Sequence, residues 1–214
     1  MNLRLNKKTK IIVFLVSAGS ILLSLPFLFP GFGILMLVAL VPILFLERFI
    51  SENKTKGGWF YVYLTFILWN SFTTYWIAYA NFKGAVGAIL LYSLGVTLVV
   101  RAYSWFRKRT NNAIGYSFLI LGWIAFEHLL AEGEIAWPWL ALGNGFATSY
   151  KVVQWYEFTG VFGGTLWALV VSVFVFDLVS KIINSSISEK TIKIRYSLLA
   201  LVIILPAFIS HLIY

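Results

Sequence analysis

The 214-residue chain contains no cysteine. Disulfides, thiolate metal sites and thiol nucleophiles are excluded together, because each needs a sulfur that can lose its proton. Charge is nearly as scarce. Charged residues make up 12% of the chain, where soluble domains carry about a quarter. Only eight are acidic. What replaces them is 60% hydrophobic residues and a mean hydropathy of +0.87. At about 20 residues per span, that is enough for six or seven transmembrane helices with no room for a soluble domain. A cytoplasmic enzyme, a secreted disulfide scaffold and a DNA-binding domain are excluded, and short loops alone are left to carry polar chemistry.

The apolar runs predict an all-α, polytopic membrane bundle of about seven helices, a single transmembrane domain over 1–214. The expected spans are 11–29, 31–49, 59–79, 84–105, 113–131, 159–183 and 196–214. Pro42 is placed to kink the second span and Pro206 the last. The first run is longer than a signal-peptide core, lacks an A-x-A-like site and is followed at once by further spans. It reads as an uncleaved helix.

Net charge is +9. Laid on the alternating spans, fifteen of the seventeen basic residues fall on one side, and Lys83 and Lys151 alone fall on the other. Lysine and arginine gather on the cytoplasmic face. The charge is therefore topological rather than a nucleic-acid patch, with the N-terminus predicted inside and the C-terminus, at Tyr214, outside. No internal repeat of the transporter kind is present.

The segment 132–157 breaks the apolar pattern and is expected to be an extracytoplasmic interfacial loop. It carries Glu132, Glu134, Trp137-Pro138-Trp139, Gly143-Asn144-Gly145 and Gln154-Trp155-Tyr156-Glu157, directly after Phe126-Glu127-His128. Tryptophan and tyrosine rings could hold acyl chains there while carboxylates and amides meet a polar head group. An aromatic belt beside a solvated acidic loop is the plainer reading. Glu127 is the sharper feature, since an ionisable group within a span is costly and faces a cavity or a partner, unless the span ends early. His128 and Glu132, four apart, could pair on one helical face. Asp177 and Arg101, of opposite charge and similar depth, could pair too, although snorkelling explains either alone. Gly160, Gly163 and Gly164 suit close helix packing. His128 and His211 form no metal motif, no G-x-S-x-G elbow is present, and nothing calls for a cofactor.

Phe126-Glu127-His128, Trp137-Pro138-Trp139-Leu140-Ala141-Leu142-Gly143, Gln154-Trp155-Tyr156 and Thr159-Gly160-Val161-Phe162-Gly163-Gly164 resemble, in order and spacing, the membrane domain of the apolipoprotein N-acyltransferase family. Leu25-Pro26, Pro42-Ile43-Leu44-Phe45-Leu46-Glu47 and Tyr75-Trp76-Ile77 extend the resemblance over nearly the whole chain. The resemblance implies a bundle in the bacterial inner membrane that carries a periplasmic nitrilase-like domain. The Glu-Lys-Cys triad of that domain takes an acyl chain from a phospholipid as a thioester and passes it to the amine of a lipoprotein's diacylglyceryl-cysteine, splitting one hard transfer into two easier steps.

With no cysteine and an end at Tyr214, where that domain is expected to start, this chain holds no catalytic residue for the reaction. What the resemblance implies here is substrate binding by Glu127, Trp137, Pro138, Trp139, Gly143, Asn144, Gln154, Tyr156 and Glu157, with phospholipid and lipoprotein as partners, a separate nitrilase-like domain alongside, and no nucleic acid. Two other accounts stay open: a non-enzymatic lipid-binding or lipid-transport protein, and a membrane enzyme using Glu127 and His128 as acid and base.

Overall fold

A computed structural model of the chain describes residues 6–133 and 136–214; Arg4 and Glu134, counted above, lie outside the described residues. The described residues form seven α-helices, α1 Lys7–Leu28, α2 Val41–Glu52, α3 Trp59–Thr74, α4 Phe82–Arg109, α5 Asn112–Glu132, α6 Tyr156–Ile183 and α7 Glu189–Ile213. Short 3-10 stretches lie at Gly33–Leu37, Tyr75–Tyr79, Pro138–Leu140 and Leu142–Val152. Among the described residues there is no strand.

Among the described residues six stretches are long and apolar enough to cross a membrane: α1, Gly33–Glu52, α4, α5, α6 and α7. The chain is a multi-pass membrane protein. The stretch 59–79 is helical throughout, but α3 stops after 16 residues and continues as 3-10 turns. Two adjacent hydroxyls accompany the change. Thr73 donates to the carbonyls of Trp69 and Asn70, and Thr74 donates to the Asn70 carbonyl at 2.8 Å, so side chains compete with the helical ladder in the last turn. Pro42 kinks nothing. It is the second residue of α2, where a missing N–H costs no hydrogen bond, and the chain before it runs in 3-10 turns.

The chain divides into two compact units, Met1–Ser24 with Pro42–Trp123, and Leu25–Val41 with Ile124–Tyr214. In the first unit Phe66, Trp69 and Trp123 are fully buried, with the Phe66 ring 6.2 Å from Trp69 and 5.9 Å from Trp123. Lipid gives no hydrophobic drive for helix association, so close packing and polar contacts must supply it. Gly19 provides the first: a Cβ there would sit 3.0 Å from Ile43 and 3.1 Å from Thr65. The end of α2 provides the second. Glu47, fully buried, accepts hydrogen bonds from the Ser104 hydroxyl and from the Arg107 guanidinium at 3.0 Å.

In the second unit α6 is the central helix. Ser172 donates to the Leu37 carbonyl at 2.9 Å, which ties α6 to the first 3-10 stretch. Asp177 pairs with Lys181 at 2.7 Å and Arg195 at 2.6 Å, tying α6 to the start of α7; Arg101, in the other unit, lies over the Trp59 ring. Pro206 accounts for a third tie. Proline has no N–H for the carbonyl four residues earlier, Val202, and the Trp167 indole N–H donates to that freed carbonyl at 2.9 Å. Replacing Trp167 by phenylalanine is expected to cost about 1–3 kcal/mol, because the carbonyl then has no donor in an apolar setting. Unfolding in detergent measures the cost, and faster proteolysis of α7 should accompany it.

Candidate functional site

The site grows from Glu127, in the next-to-last turn of α5. Its side chain is 3% exposed, so the carboxylate has been withdrawn from bulk solvent and needs internal donors. It accepts a hydrogen bond from the Leu142 backbone N–H at 2.8 Å through one oxygen and from the Thr165 hydroxyl at 2.6 Å through the other. Thr165, on α6 and fully buried, in turn accepts from the Gly143 N–H at 3.0 Å. The Tyr156 hydroxyl donates to the Gly143 carbonyl at 2.8 Å. Both polar groups of the Gly143 peptide are thereby held, and the 3-10 stretch is fastened to α5 and α6.

Local sequence makes this possible at two glycines. Gly143 is pressed against α6 so closely that a Cβ would collide with the Val161 carbonyl oxygen. Gly160 has φ of +62° and ψ of −169°, a backbone that only glycine adopts readily, and it breaks the regular winding of α6 after the first turn. The Tyr156 ring packs against Gly164, a position where a Cβ would meet its hydroxyl. Of the three glycines expected to pack closely, Gly163 and Gly164 do so, against Thr159, Trp155 and Tyr156 at the start of α6 itself, whereas a Cβ at Gly160 would meet nothing within 4 Å and that glycine serves the backbone turn.

In front of this framework lies a pocket of about 380 Å³ lined by Gly143, Asn144, Gln154, Tyr156 and Glu157 together with Tyr150 and Val161. Five of the nine residues expected to bind substrate meet here. Glu127 stands behind the wall rather than in it. Trp137, Pro138 and Trp139 lie in the preceding turn: the Pro138 carbonyl accepts from the Asn144 amide at 2.8 Å, the Trp137 N–H donates to the Leu130 carbonyl at 2.9 Å, and the Trp139 ring is 53% exposed. His128 is exposed, its ring edge-on to Phe162 at 5.6 Å, whereas both oxygens of Glu127 are already engaged in holding backbone and hydroxyl.

A second cavity, about 490 Å³, lies between α6 and α7 and is walled by Trp155, Leu166, Trp167, Leu201, Leu205 and Pro206 among others. Its lining is apolar apart from indole edges. Trp155 joins the two cavities in sequence, because its neighbours Gln154 and Tyr156 face the polar pocket while its own ring faces the apolar one. The ring is fixed by a hydrogen bond from its indole N–H to the Val152 carbonyl at 3.1 Å and by edge contacts with Tyr156 at 4.9 Å and Trp167 at 5.9 Å.

Three participants were not legible as site residues beforehand. Thr165 sits in an apolar run that marks it only as a small polar residue. The Leu142 N–H is backbone and carries no side-chain signal. Ser210, near the end of α7 and fully buried, donates to the Lys151 carbonyl at 2.9 Å and accepts from the Gln154 N–H at 2.6 Å, fastening the far end of the pocket wall.

Residues 19–174 match the family model described as apolipoprotein N-acyltransferase N-terminal domain, a stretch that contains the whole Glu127–Thr165 framework and the polar pocket. The chain is 26% identical over 140 residues to the apolipoprotein N-acyltransferase of Chlorobaculum tepidum, covering 64% of this chain and 26% of that protein. It thus spans about a quarter of that relative's length. No solved structure matches. The chain belongs to the apolipoprotein N-acyltransferase N-terminal domain family.

Proposed function

We propose that this chain is the membrane moiety of an apolipoprotein N-acyltransferase in the bacterial inner membrane, receiving lipid substrates for a nitrilase-like catalytic domain. That domain would take an acyl chain from a phospholipid and transfer it to the amine of a diacylglyceryl-cysteine. The observation that carries the reading is the pairing of a polar pocket with an apolar groove on either side of Trp155-Tyr156. Such a pair suits an amphiphile, with the head group against Asn144, Gln154, Tyr156 and Glu157 and a single acyl chain between α6 and α7. Glu127 positions the wall, and Trp137, Pro138 and Trp139 brace the turn that precedes it. In this reading the chain enters from the cytoplasm, and the 132–157 segment and Tyr214 face outward.

Photoactivatable phospholipid in reconstituted membranes tests the proposal. Crosslinks are expected to concentrate at 143–157 and on the groove faces of α6 and α7, to fall several-fold when Leu205→Trp fills the groove, and to be competed by a diacylglyceryl-cysteine peptide. Crosslinking spread evenly over α1 to α7, without competition, would overturn it. Crosslinking at the site that the lipopeptide does not compete would favour a lipid-binding or lipid-transport protein without acyl transfer.

A further inference from the structure

Away from that pocket, the first unit gathers cations at one end. The stretches 47–59 and 101–109 hold seven basic residues, Arg48, Lys54, Lys56, Arg101, Arg107, Lys108 and Arg109, and two acids, Glu47 and Glu52. Both acids are already matched: Glu52 to Arg48 at 2.7 Å and Glu47 to Arg107 at 3.0 Å. Lys54, Lys56, Arg101, Lys108 and Arg109 are exposed and have no carboxylate partner among the described residues.

Two contacts draw together the elements that carry these cations. The Glu47–Arg107 pair joins the end of α2 to the end of α4. Arg101 lies over the ring of Trp59, three residues after Lys56, at 5.6 Å, which joins the start of α3 to the same end of α4. Arg109 lies over Trp105 at 3.9 Å. A guanidinium stacked on an indole face keeps its N–H fork free at the ring edge and loses less freedom on binding a phosphate. The surface beside these cations is apolar: Phe60 is 58% exposed, Leu98 54% and Trp105 47%.

Cation excess sets orientation in any membrane protein, and by itself it would need only lysines in loops. Here two of the cations are arginines fixed on tryptophans within helices, next to exposed apolar side chains. We infer that this end of the first unit is a binding surface for anionic phospholipid, with head-group phosphates received at Arg101 and at Arg109, about two turns apart on α4, beside the neighbouring lysines, and the acyl chains lying along Phe60, Leu98 and Trp105. An acidic protein or a nucleic acid would match the charge and leave the apolar strip uncovered. An anionic lipid covers both.

The test compares phosphatidylglycerol with phosphatidylcholine of the same acyl composition, titrated onto the purified chain and read by retained lipid in native mass spectrometry and by thermal unfolding. Phosphatidylglycerol is expected to be preferred by about fivefold per engaged cation, a preference that falls as salt is raised. Arg101→Gln with Arg109→Gln should remove most of the preference, and Lys190→Gln with Lys193→Gln, which changes net charge equally on α7, should keep it. Equal retention of the two lipids by the unsubstituted chain would overturn the inference whatever the variants do. So would a preference lost equally in both double variants, since it would then follow net charge and not this surface.

Discussion

Glu127→Ala is expected to lower the unfolding free energy by about 2–6 kcal/mol and to abolish lipid crosslinking at the polar pocket. Alanine leaves the Leu142 N–H and the Thr165 hydroxyl without their acceptor, and each buried donor so stranded costs roughly 1–3 kcal/mol. The effect reaches the pocket because Thr165 is shared. Its hydroxyl donates to Glu127 and accepts from Gly143, so a rotated Thr165 frees the peptide on which the pocket wall is hung. Thr165→Val provides the separating measurement. It removes the hydroxyl and keeps the shape, but it strands the Gly143 N–H and one Glu127 oxygen, so it should cost about as much as Glu127→Ala, and the double variant should cost less than the sum, since the two residues share one network. Glu127→Gln should cost less than either, because an amide can accept from one donor while presenting its own N–H to the other. Additive costs in the double variant would mean that the Glu127–Thr165 hydrogen bond does not couple them.

The helical architecture was legible because membranes leave few alternatives: apolar runs of sufficient length, separated by loops, become helices whose backbone groups are satisfied internally. Where expectation and structure part, the cause is local hydrogen bonding that hydropathy does not see. The stretch 59–79 loses its regular helix at Thr73 and Thr74 through their hydroxyls. Pro42 starts a helix because the preceding segment is already irregular. At the site, Gly143, Asn144, Gln154, Tyr156 and Glu157 could be named in advance and do share a pocket, whereas the part of Glu127 depends on Thr165, 38 positions away on another helix. Cost alone flagged the carboxylate. Its partner could be found only by knowing which faces of α5 and α6 meet. Asp177 offers a contrast: depth matches it with Arg101, whereas Lys181, four residues on along the same helix, holds it, and the spacing rule for helical ion pairs is the better guide. Pro206 is the intermediate case: sequence places the freed carbonyl at Val202, but not the indole of Trp167 that caps it.

The second large effect is expected at the opposite kind of site, a buried ion pair with no pocket. Arg107→Leu strands Glu47, which is fully buried, with the Ser104 hydroxyl as its one remaining donor among the bonds described above. Removing one partner of such a pair costs about 3–5 kcal/mol, because the remaining charge must be held in low dielectric without its counter-charge. Glu47→Gln should cost less, since the Arg107 side chain is 17% exposed and can turn its guanidinium toward the membrane surface, and glutamine still accepts from Ser104. The double variant should recover part of the loss, as replacing both partners of a buried pair by uncharged groups removes the desolvation penalty with the attraction. Arg48→Leu is the control on the same helix: its pair with Glu52 is 26% and 60% exposed, and solvent-screened pairs of that kind are worth about 0–1 kcal/mol. Unfolding of the four variants in one detergent, by heat or by denaturant, ranks them. If Arg107→Leu is no more costly than Arg48→Leu, the end of α4 is held to α2 by Ser104 and packing rather than by charge.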